Sequence, residues 1–217
     1  MACEICEQRR PRRYCPGVRG DICARCCGEA REETVDCPLD CEYLREARLH
    51  ERSRREATEE LSPDIRITEE FLQQHAFLVQ WCGMSLCETA LAEPRTVDSD
   101  VREALDAMIR TLRTSATGLI YETRPANPFA AAVQERVTGK LESLRQADHQ
   151  QTGLTRFGDR DVLGVLVFFQ RLAAAYDNGR RRGRAFIDVL ANDFLTAPDG
   201  DDDDMDAREE TPRLIAP

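Results

Sequence analysis

The first 41 residues, MACEICEQRRPRRYCPGVRGDICARCCGEAREETVDCPLDC, contain eight of the ten cysteines of this 217-residue chain. The eight are Cys3, Cys6, Cys15, Cys23, Cys26, Cys27, Cys37 and Cys41. Two tetrahedral zinc ions with only thiolate ligands require eight cysteines. Neighbouring cysteines such as Cys26 and Cys27 rarely bridge each other without strain, so metal binding is a better interpretation than disulfides. The stretch therefore predicts a module, residues 1–41, that binds two structural Zn²⁺ ions.

The same stretch has few large apolar side chains from which to build a core. A segment of this size cannot bury enough apolar surface to fold by itself. A structural zinc contributes about 10–16 kcal/mol of apparent binding free energy at neutral pH, which can supply the difference. Four-cysteine sites leave no open position for water or substrate, so the predicted role of the metal is structural. Two alternatives stay open: redox exchange at Cys23-x-x-Cys26, and His50 as an additional ligand.

The cysteine pattern resembles the HIT and MYND class of zinc fingers. The matching segments are Cys3-x-x-Cys6, Tyr14-Cys15-Pro16, Cys23-x-x-Cys26 and Cys37-x-x-x-Cys41. Those modules interleave two zinc sites in a cross-brace, and they usually dock proteins. The resemblance implies that one zinc is held by Cys3, Cys6, Cys23 and Cys26, and the other by Cys15, Cys27, Cys37 and Cys41. The roles of Cys26 and Cys27 are exchangeable in this scheme. The sequence departs from the family twice: Cys27 must replace a ligand expected soon after Cys15, and Cys37 stands where a histidine is expected.

The rest of the chain is typical of an all-α protein. Glutamate and arginine alternate at helical spacing after Cys41, which predicts a solvated connector helix over residues 42–61. Ser62-Pro63 ends it. Apolar residues at helical spacing then predict a bundle of five helices over residues 62–196, beginning near residues 68, 98, 127, 159 and 184. Polar residues with two glycines predict a loop over 146–158, and Cys82 and Cys87 are expected in the core.

The last segment, residues 197–217, contains eight acidic residues and only two arginines. Such a composition predicts a disordered acidic tail. The tail carries much of the formal net charge of −10, so the remainder is only mildly acidic, which argues against general nucleic-acid coating. No apolar run approaches the roughly 20 residues of a membrane span, and no secretory signal precedes Cys3. We therefore expect a cytoplasmic chain with reduced thiols and no membrane partner.

The sequence contains no phosphate-binding loop, nucleophile elbow or His-Glu-x-x-His motif, so we expect no enzyme. We interpret the chain as a zinc-containing adaptor or regulatory protein that binds a macromolecular partner, most simply a protein, through the zinc module and the bundle. Two arginine runs, residues 9–13 and 180–184, support an alternative, a nucleic-acid or ribosome-associated factor. Its anion contacts would be Arg180, Arg181, Arg182 and Arg184. A third hypothesis is an enzyme with a polar pocket inside the bundle.

Overall fold

The computed structural model of the chain describes residues 2–52 and 61–195. The predicted acidic tail, 197–217, and positions 53–60 of the predicted connector helix lie outside the described residues. Within those two ranges the protein is all-α apart from one small two-stranded ladder, so the predicted fold class is confirmed. No helix in this part of the chain combines the length and the apolarity that a membrane crossing requires.

The cysteine-rich module (residues 1–41) has little regular structure. Strands β1 (Arg13–Cys15) and β2 (Gly20–Ile22) pair antiparallel with Tyr14 opposite Asp21, and helix α1 (Ala24–Ala30) follows directly. Cys23 follows β2 directly and caps α1, because its Sγ accepts a hydrogen bond from the Cys26 N–H. Helix α2 (Glu42–Arg52) begins one residue after Cys41, as the sequence predicts.

Six further helices and a π-helical turn form the bundle within residues 61–195. They are α3 (Glu69–Gln74), α4 (Ala76–Leu91), α5 (Asp98–Ala116), α6 (Pro128–Thr152), α7 (Asp159–Ala175), α8 (Ala185–Leu190) and the π-helical turn Ala191–Leu195. Helix α5 packs against both α6 and α7, and α4 lies against α6, α7 and α8. The core contains fully buried side chains from five of these helices, including Leu78, Leu105, Val133, Phe169 and Phe186.

Two predicted boundaries differ from the structure. The helix expected from residue 68 to 92 is interrupted at His75, whose ring packs on Phe71 with 4.5 Å between ring centroids. The loop expected from residue 146 is wrong for 146–152, because α6 continues to Thr152. Gly153 ends α6 in the left-handed conformation (φ 71°), which glycine adopts without steric cost. The buried Asp148 stabilises this last turn by accepting from the Arg156 backbone and side chain.

Cys82 and Cys87 lie in the bundle core, as predicted, and all ten cysteines are free thiols. Burial raises the pKa of Cys82 to about 12 and that of Cys87 to about 11. Both thiols are therefore protonated at neutral pH and pack as small apolar side chains.

Candidate metal centre

Four cysteine side chains converge at the edge of the β1–β2 ladder. The sulfur atoms of Cys3, Cys6, Cys23 and Cys26 all lie within 4.8 Å of one another. Four thiolates around one zinc, each at ~2.3 Å, stand roughly 3.8 Å apart, so this spacing is compatible with a tetrahedral metal ion. Cys3, Cys23 and Cys26 are buried, and Cys6 is partly exposed. We call these four residues the first cysteine group.

The local backbone explains why these four thiols meet. The Cys3 N–H donates to the Arg9 carbonyl (2.9 Å) and its carbonyl accepts from the Glu7 N–H (2.7 Å), which folds Cys3–Cys6 into a tight turn. The Glu4 N–H donates to the Asp21 carbonyl (3.0 Å) and holds that turn against β2. Cys23 immediately follows β2, and Cys26 lies in α1. Two short elements, the turn and α1, therefore present one pair of thiols each to a common point.

Backbone N–H groups aim at the sulfur atoms of this group. The Cys23 N–H donates to Cys3 Sγ at 3.2 Å, and the Cys26 N–H donates to Cys23 Sγ at 3.4 Å. Burial disfavours the Cys3 thiolate, but hydrogen bonds from the backbone of Cys6, Cys23 and Ile5 outweigh burial and lower the pKa of Cys3 to about 6. The Cys26 backbone likewise lowers the pKa of Cys23. Thiolates, the form that binds metal, are thus favoured at two of the four positions.

Cys26 shows the repulsion that a cation would relieve. Hydrogen bonding with Cys23, together with burial, raises the pKa of Cys26 to about 12. The Arg9 side chain hydrogen-bonds to Cys23 and has a raised pKa because that interaction favours its charged form. One arginine beside four thiols offsets only part of the charge of a fully ionised group. A divalent cation at the centre would let all four ionise together.

The other four cysteines of the module line one small recess. Cys15, Cys27, Cys37 and Cys41 surround a cavity of about 20 Å³ together with Arg13 and Tyr43. Burial raises the pKa of Cys37, and the charges of Glu32, Cys15 and Cys41 add to this effect, so these groups are close neighbours. Arg13 Nη1 and Arg31 Nη2 approach Cys27 Sγ at 3.8 and 4.0 Å. We call these four residues the second cysteine group.

The two groups differ in compactness. Among the described residues, the first group alone brings three or more ligand atoms within 4.8 Å of one another. The structure thus assembles the same four cysteines that the resemblance assigns to one zinc. It places the other four around one recess in a more open arrangement.

No family model, curated protein or solved structure matches this chain. The resemblance to HIT and MYND fingers therefore rests on the cysteine pattern.

The arginine run 180–184 lies where the module meets the bundle. Arg180 Nη1 donates to the Arg31 carbonyl at 2.7 Å. Arg182 Nη1 pairs with Asp36 at 2.9 Å and contacts the Thr34 carbonyl. The Arg184 side chain is partly buried, and Arg181 is exposed. Arg180 and Arg182 thus bind the module, and the role of the run as an anion site stays a prediction.

Glu32 is a site residue that the sequence did not indicate. It follows α1 in a run of three charged residues, a pattern typical of an exposed loop. In the structure it is 1% exposed, and its φ of 52° is left-handed. Its carboxylate accepts hydrogen bonds from Arg48 (2.9 Å), Asn178 (2.8 Å) and the Arg184 backbone N–H (3.0 Å). Only the tertiary arrangement brings these groups, up to 152 positions apart, around one carboxylate.

Proposed function

We propose that this protein is a zinc-stabilised, non-catalytic adaptor that binds a protein partner. The observation that carries the proposal is the first cysteine group, four thiols within 4.8 Å of one another. Cysteine thiolates with tetrahedral spacing are typical ligands of structural zinc. A site with four protein ligands leaves the metal no position for substrate, so we propose no catalysis there.

The finer proposal is that the module holds two zinc ions, the second bound by Cys15, Cys27, Cys37 and Cys41. The four side chains line one recess, which supports a shared ion. Arg13 and Arg31 beside Cys27 would offset part of the excess negative charge of a zinc with four thiolates. Binding an ion there would require the second group to contract, since its sulfur atoms are less closely spaced than those of the first.

A protein partner is supported by a run of exposed apolar residues between α5 and α6. Leu119, Ile120 and Tyr121 are 63%, 105% and 69% exposed. The segment is held at its far end, where the Thr123 N–H donates to Thr111 and the Thr123 carbonyl accepts from Gln134. Three consecutive exposed large apolar side chains on an anchored segment are typical of a surface that another protein covers.

The nucleic-acid alternative has weaker support. Arg180 and Arg182 already donate to carbonyl and carboxylate oxygens of the module, which leaves fewer free donors for phosphate. The test is retention on heparin against salt, comparing the wild type with a variant in which Arg180, Arg181, Arg182 and Arg184 are alanine. Strong retention that this variant loses would favour the alternative over the adaptor.

The first test of the proposed function is the metal content of the purified, reduced protein. We expect two zinc per chain. One zinc per chain, lost in Cys3→Ser and kept in Cys37→Ser, would limit the site to the first cysteine group. A chain without zinc that still gives a native circular dichroism spectrum would refute the proposal.

The partner is tested separately with a photo-crosslinking amino acid at position 120. The matched control carries the same group at Glu142, an exposed position on α6. We expect a discrete protein adduct of one mass from position 120 and not from position 142. Equal labelling from both positions would indicate that the exposed apolar segment has no dedicated partner.

A further inference from the structure

The cysteine-rich module and the bundle meet at a loop that we call the seam loop, residues 176–184, which connects α7 to α8. Glu32 Oε2 accepts from Asn178 Nδ2 at 2.8 Å, and Glu32 Oε1 accepts from the Arg184 backbone N–H at 3.0 Å. The Glu32 carbonyl accepts from the Arg182 N–H at 2.7 Å. One residue of the module thus contacts the seam loop at both of its ends.

The same residue touches the second cysteine group. A hydrogen bond from the Glu32 backbone favours the Cys37 thiolate, whereas the negative charge of the Glu32 carboxylate disfavours it. Between Glu32 and Cys37 the chain makes a tight turn, in which the N–H groups of Glu33, Thr34 and Val35 all donate to the Ala30 carbonyl. A movement of Cys37 on binding or losing a metal ion would therefore be passed directly to Glu32.

On the bundle side, the seam loop is fixed by Asp98 at the start of α5. The Asp98 N–H donates to the Gly183 carbonyl at 2.8 Å. The Asp98 carboxylate accepts the N–H groups of Phe186 (2.9 Å) and Ile187 (3.0 Å) in the first turn of α8. Phe186 and Ile187 are themselves fully buried in the bundle core. The seam loop therefore lies between two buried carboxylates, Glu32 and Asp98.

A buried arginine strengthens the connection. Arg48 on α2 is 8% exposed and pairs with Glu32 at 2.9 Å and with Asp188 on α8 at 2.7 Å. A buried guanidinium requires its anionic partners, because an unpaired charge away from water is strongly unfavourable. Displacement of Glu32 would leave Arg48 with one carboxylate. The module cannot move away from the seam loop without disturbing α2 and α8 as well.

We propose that Glu32 couples metal binding at the second cysteine group to the docking of the module on the seam loop. This inference rests on the second zinc site of the proposed function. Binding of the metal fixes Cys37 and thereby Glu32, and Glu32 fixes the seam loop. Coupling between two binding events is reciprocal, so a change in the seam loop must weaken metal binding at the second group. The first group, whose ligands precede Glu32 and take no part in the hydrogen bonds between Glu32 and the seam loop, serves as the internal reference.

The test replaces Asn178, which lies 146 positions from Glu32 and is not a metal ligand. In Asn178→Asp the side chain keeps its shape and still accepts from the Arg180 N–H, but it presents a carboxylate to Glu32. Repulsion replaces the hydrogen bond. Asn178→Ala removes the hydrogen bond without introducing a charge and provides a milder second variant. Thr68→Ala, which removes the side-chain cap of α3 on the bundle, is the control for general loss of stability.

The full-length protein is loaded with Cd²⁺, which thiolates bind in place of zinc, and cadmium NMR gives one signal for each four-thiolate site. Cys6→Ser and Cys41→Ser variants assign the signals. A chelator is then titrated in. We expect Asn178→Asp to weaken metal binding at the second group by about fivefold or more, with a smaller effect in Asn178→Ala. The first group should bind as in the wild type in both variants, and Thr68→Ala should leave both signals unchanged.

Two outcomes would overturn the coupling, and they differ from failure of the proposed function. Wild-type binding at the second group in both Asn178 variants would show that the seam loop does not sense the metal. Equal weakening at both groups, matched by Thr68→Ala, would show a general effect of stability. A wild-type protein that gives only the signal of the first group would remove the second metal site itself, and the coupling with it.

Discussion

The buried apolar cluster of the cysteine-rich module contains three cysteines and one isoleucine, whereas the cluster of the bundle contains 25 residues within the described ranges. Apolar burial contributes about 25 cal/mol per Å², so the bundle can stabilise itself through its core. The module cannot, because its buried residues are mainly candidate metal ligands. We infer that the module gains its structure from metal and from docking, whereas the bundle would keep its fold without either.

Removing the metal is the most direct test of this difference between the module and the bundle. We expect a strong chelator to unfold residues 1–41 while most of the helical signal survives, because a structural zinc contributes about 10–16 kcal/mol to a module of this kind. Far-UV circular dichroism reports the helicity, and amide hydrogen exchange locates the loss. The seam loop should exchange faster than α4–α7 after chelation, since it loses its contacts with Glu32. Complete loss of helicity would show that the two regions are not separate folding units.

The contact between the regions is tested by Glu32→Ala. This substitution removes a carboxylate that is 1% exposed and leaves Arg48 with one of its two partners. We expect the free energy of unfolding of the metal-loaded protein to fall by about 3–5 kcal/mol, as for other buried ion pairs that lose one member. Denaturant unfolding followed by circular dichroism measures the change.

The neighbouring Glu33→Ala provides the matched control. Glu33 is partly exposed, and its side chain lacks a hydrogen bond or ion pair in the described structure. We expect a change within about 0.5 kcal/mol, as for most surface substitutions. If Glu32→Ala were equally mild, the buried pair would contribute little to holding the regions together.

The two regions also differ in how much of them could be predicted from the sequence. Periodic apolar residues and proline breaks indicated the bundle helices, since both signals are local. The boundary errors arose where a particular side-chain contact accompanies the boundary: Arg156 pairs with the buried Asp148 near the end of α6, and the His75 ring packs on Phe71 between α3 and α4.

The cysteine content of the sequence was enough to predict a metal site, but the contact between the module and the seam loop could not be predicted. Cysteine spacing alone indicates metal, and the resemblance supplied the grouping of Cys3, Cys6, Cys23 and Cys26. The sequence contains no signal that Glu32 is buried, because a glutamate among charged neighbours is usually solvated. The arginine run 180–184 supports an anion site only in the alternative hypothesis, and its carbonyl and carboxylate partners in the module were not predictable because they lie about 150 positions away.

Packing inside the bundle is tested by Gly83→Ala on α4. A Cβ atom at this position would lie 2.3 Å from the ring of Phe194, which is itself buried against Phe169. We expect the free energy of unfolding to fall by about 1–3 kcal/mol, because the ring must shift in a filled core. Metal content should stay unchanged, since the bundle does not contain the metal ligands.

Gly139→Ala on α6 is the control for this substitution. Gly139 is exposed, and an added Cβ atom would meet nothing within 4 Å. Alanine is a better helix former than glycine, so we expect a gain of about 0.5–1 kcal/mol. Opposite signs for the two glycines would confirm that the core is closely packed around α4. A gain at both positions would show that the core yields easily.

The smallest expected effect on stability concerns Asp98, which belongs to the bundle but contacts the seam loop. Burial and, to a smaller extent, the charge of Glu32 raise its pKa, whereas the N–H groups of Phe186 and Ile187 and the charge of Arg48 lower it; the net result is a pKa of about 7. Burial lowers the pKa of Arg184, and the charge of Asp98 offsets part of that effect. The folded state therefore binds a proton that the unfolded chain, with a carboxyl pKa of about 3.9, has already released. The associated stability is fully present below about pH 4 and is lost as the pH rises through about 7.

Between pH 6 and pH 8 this titration should lower the free energy of unfolding by about 1.4 kcal/mol, a window in which the thiols are expected to keep their metal. Asp98→Asn removes the titrating group and should flatten the dependence while retaining one oxygen that accepts an N–H of α8. Denaturant unfolding at several pH values measures both slopes. If the stability of Asp98→Asn declined equally between pH 6 and pH 8, the decline would be assigned to the metal-binding thiols. The pH dependence of stability would then arise in the cysteine-rich module. A flattened slope would place that response in the bundle, at the carboxylate that fixes the seam loop.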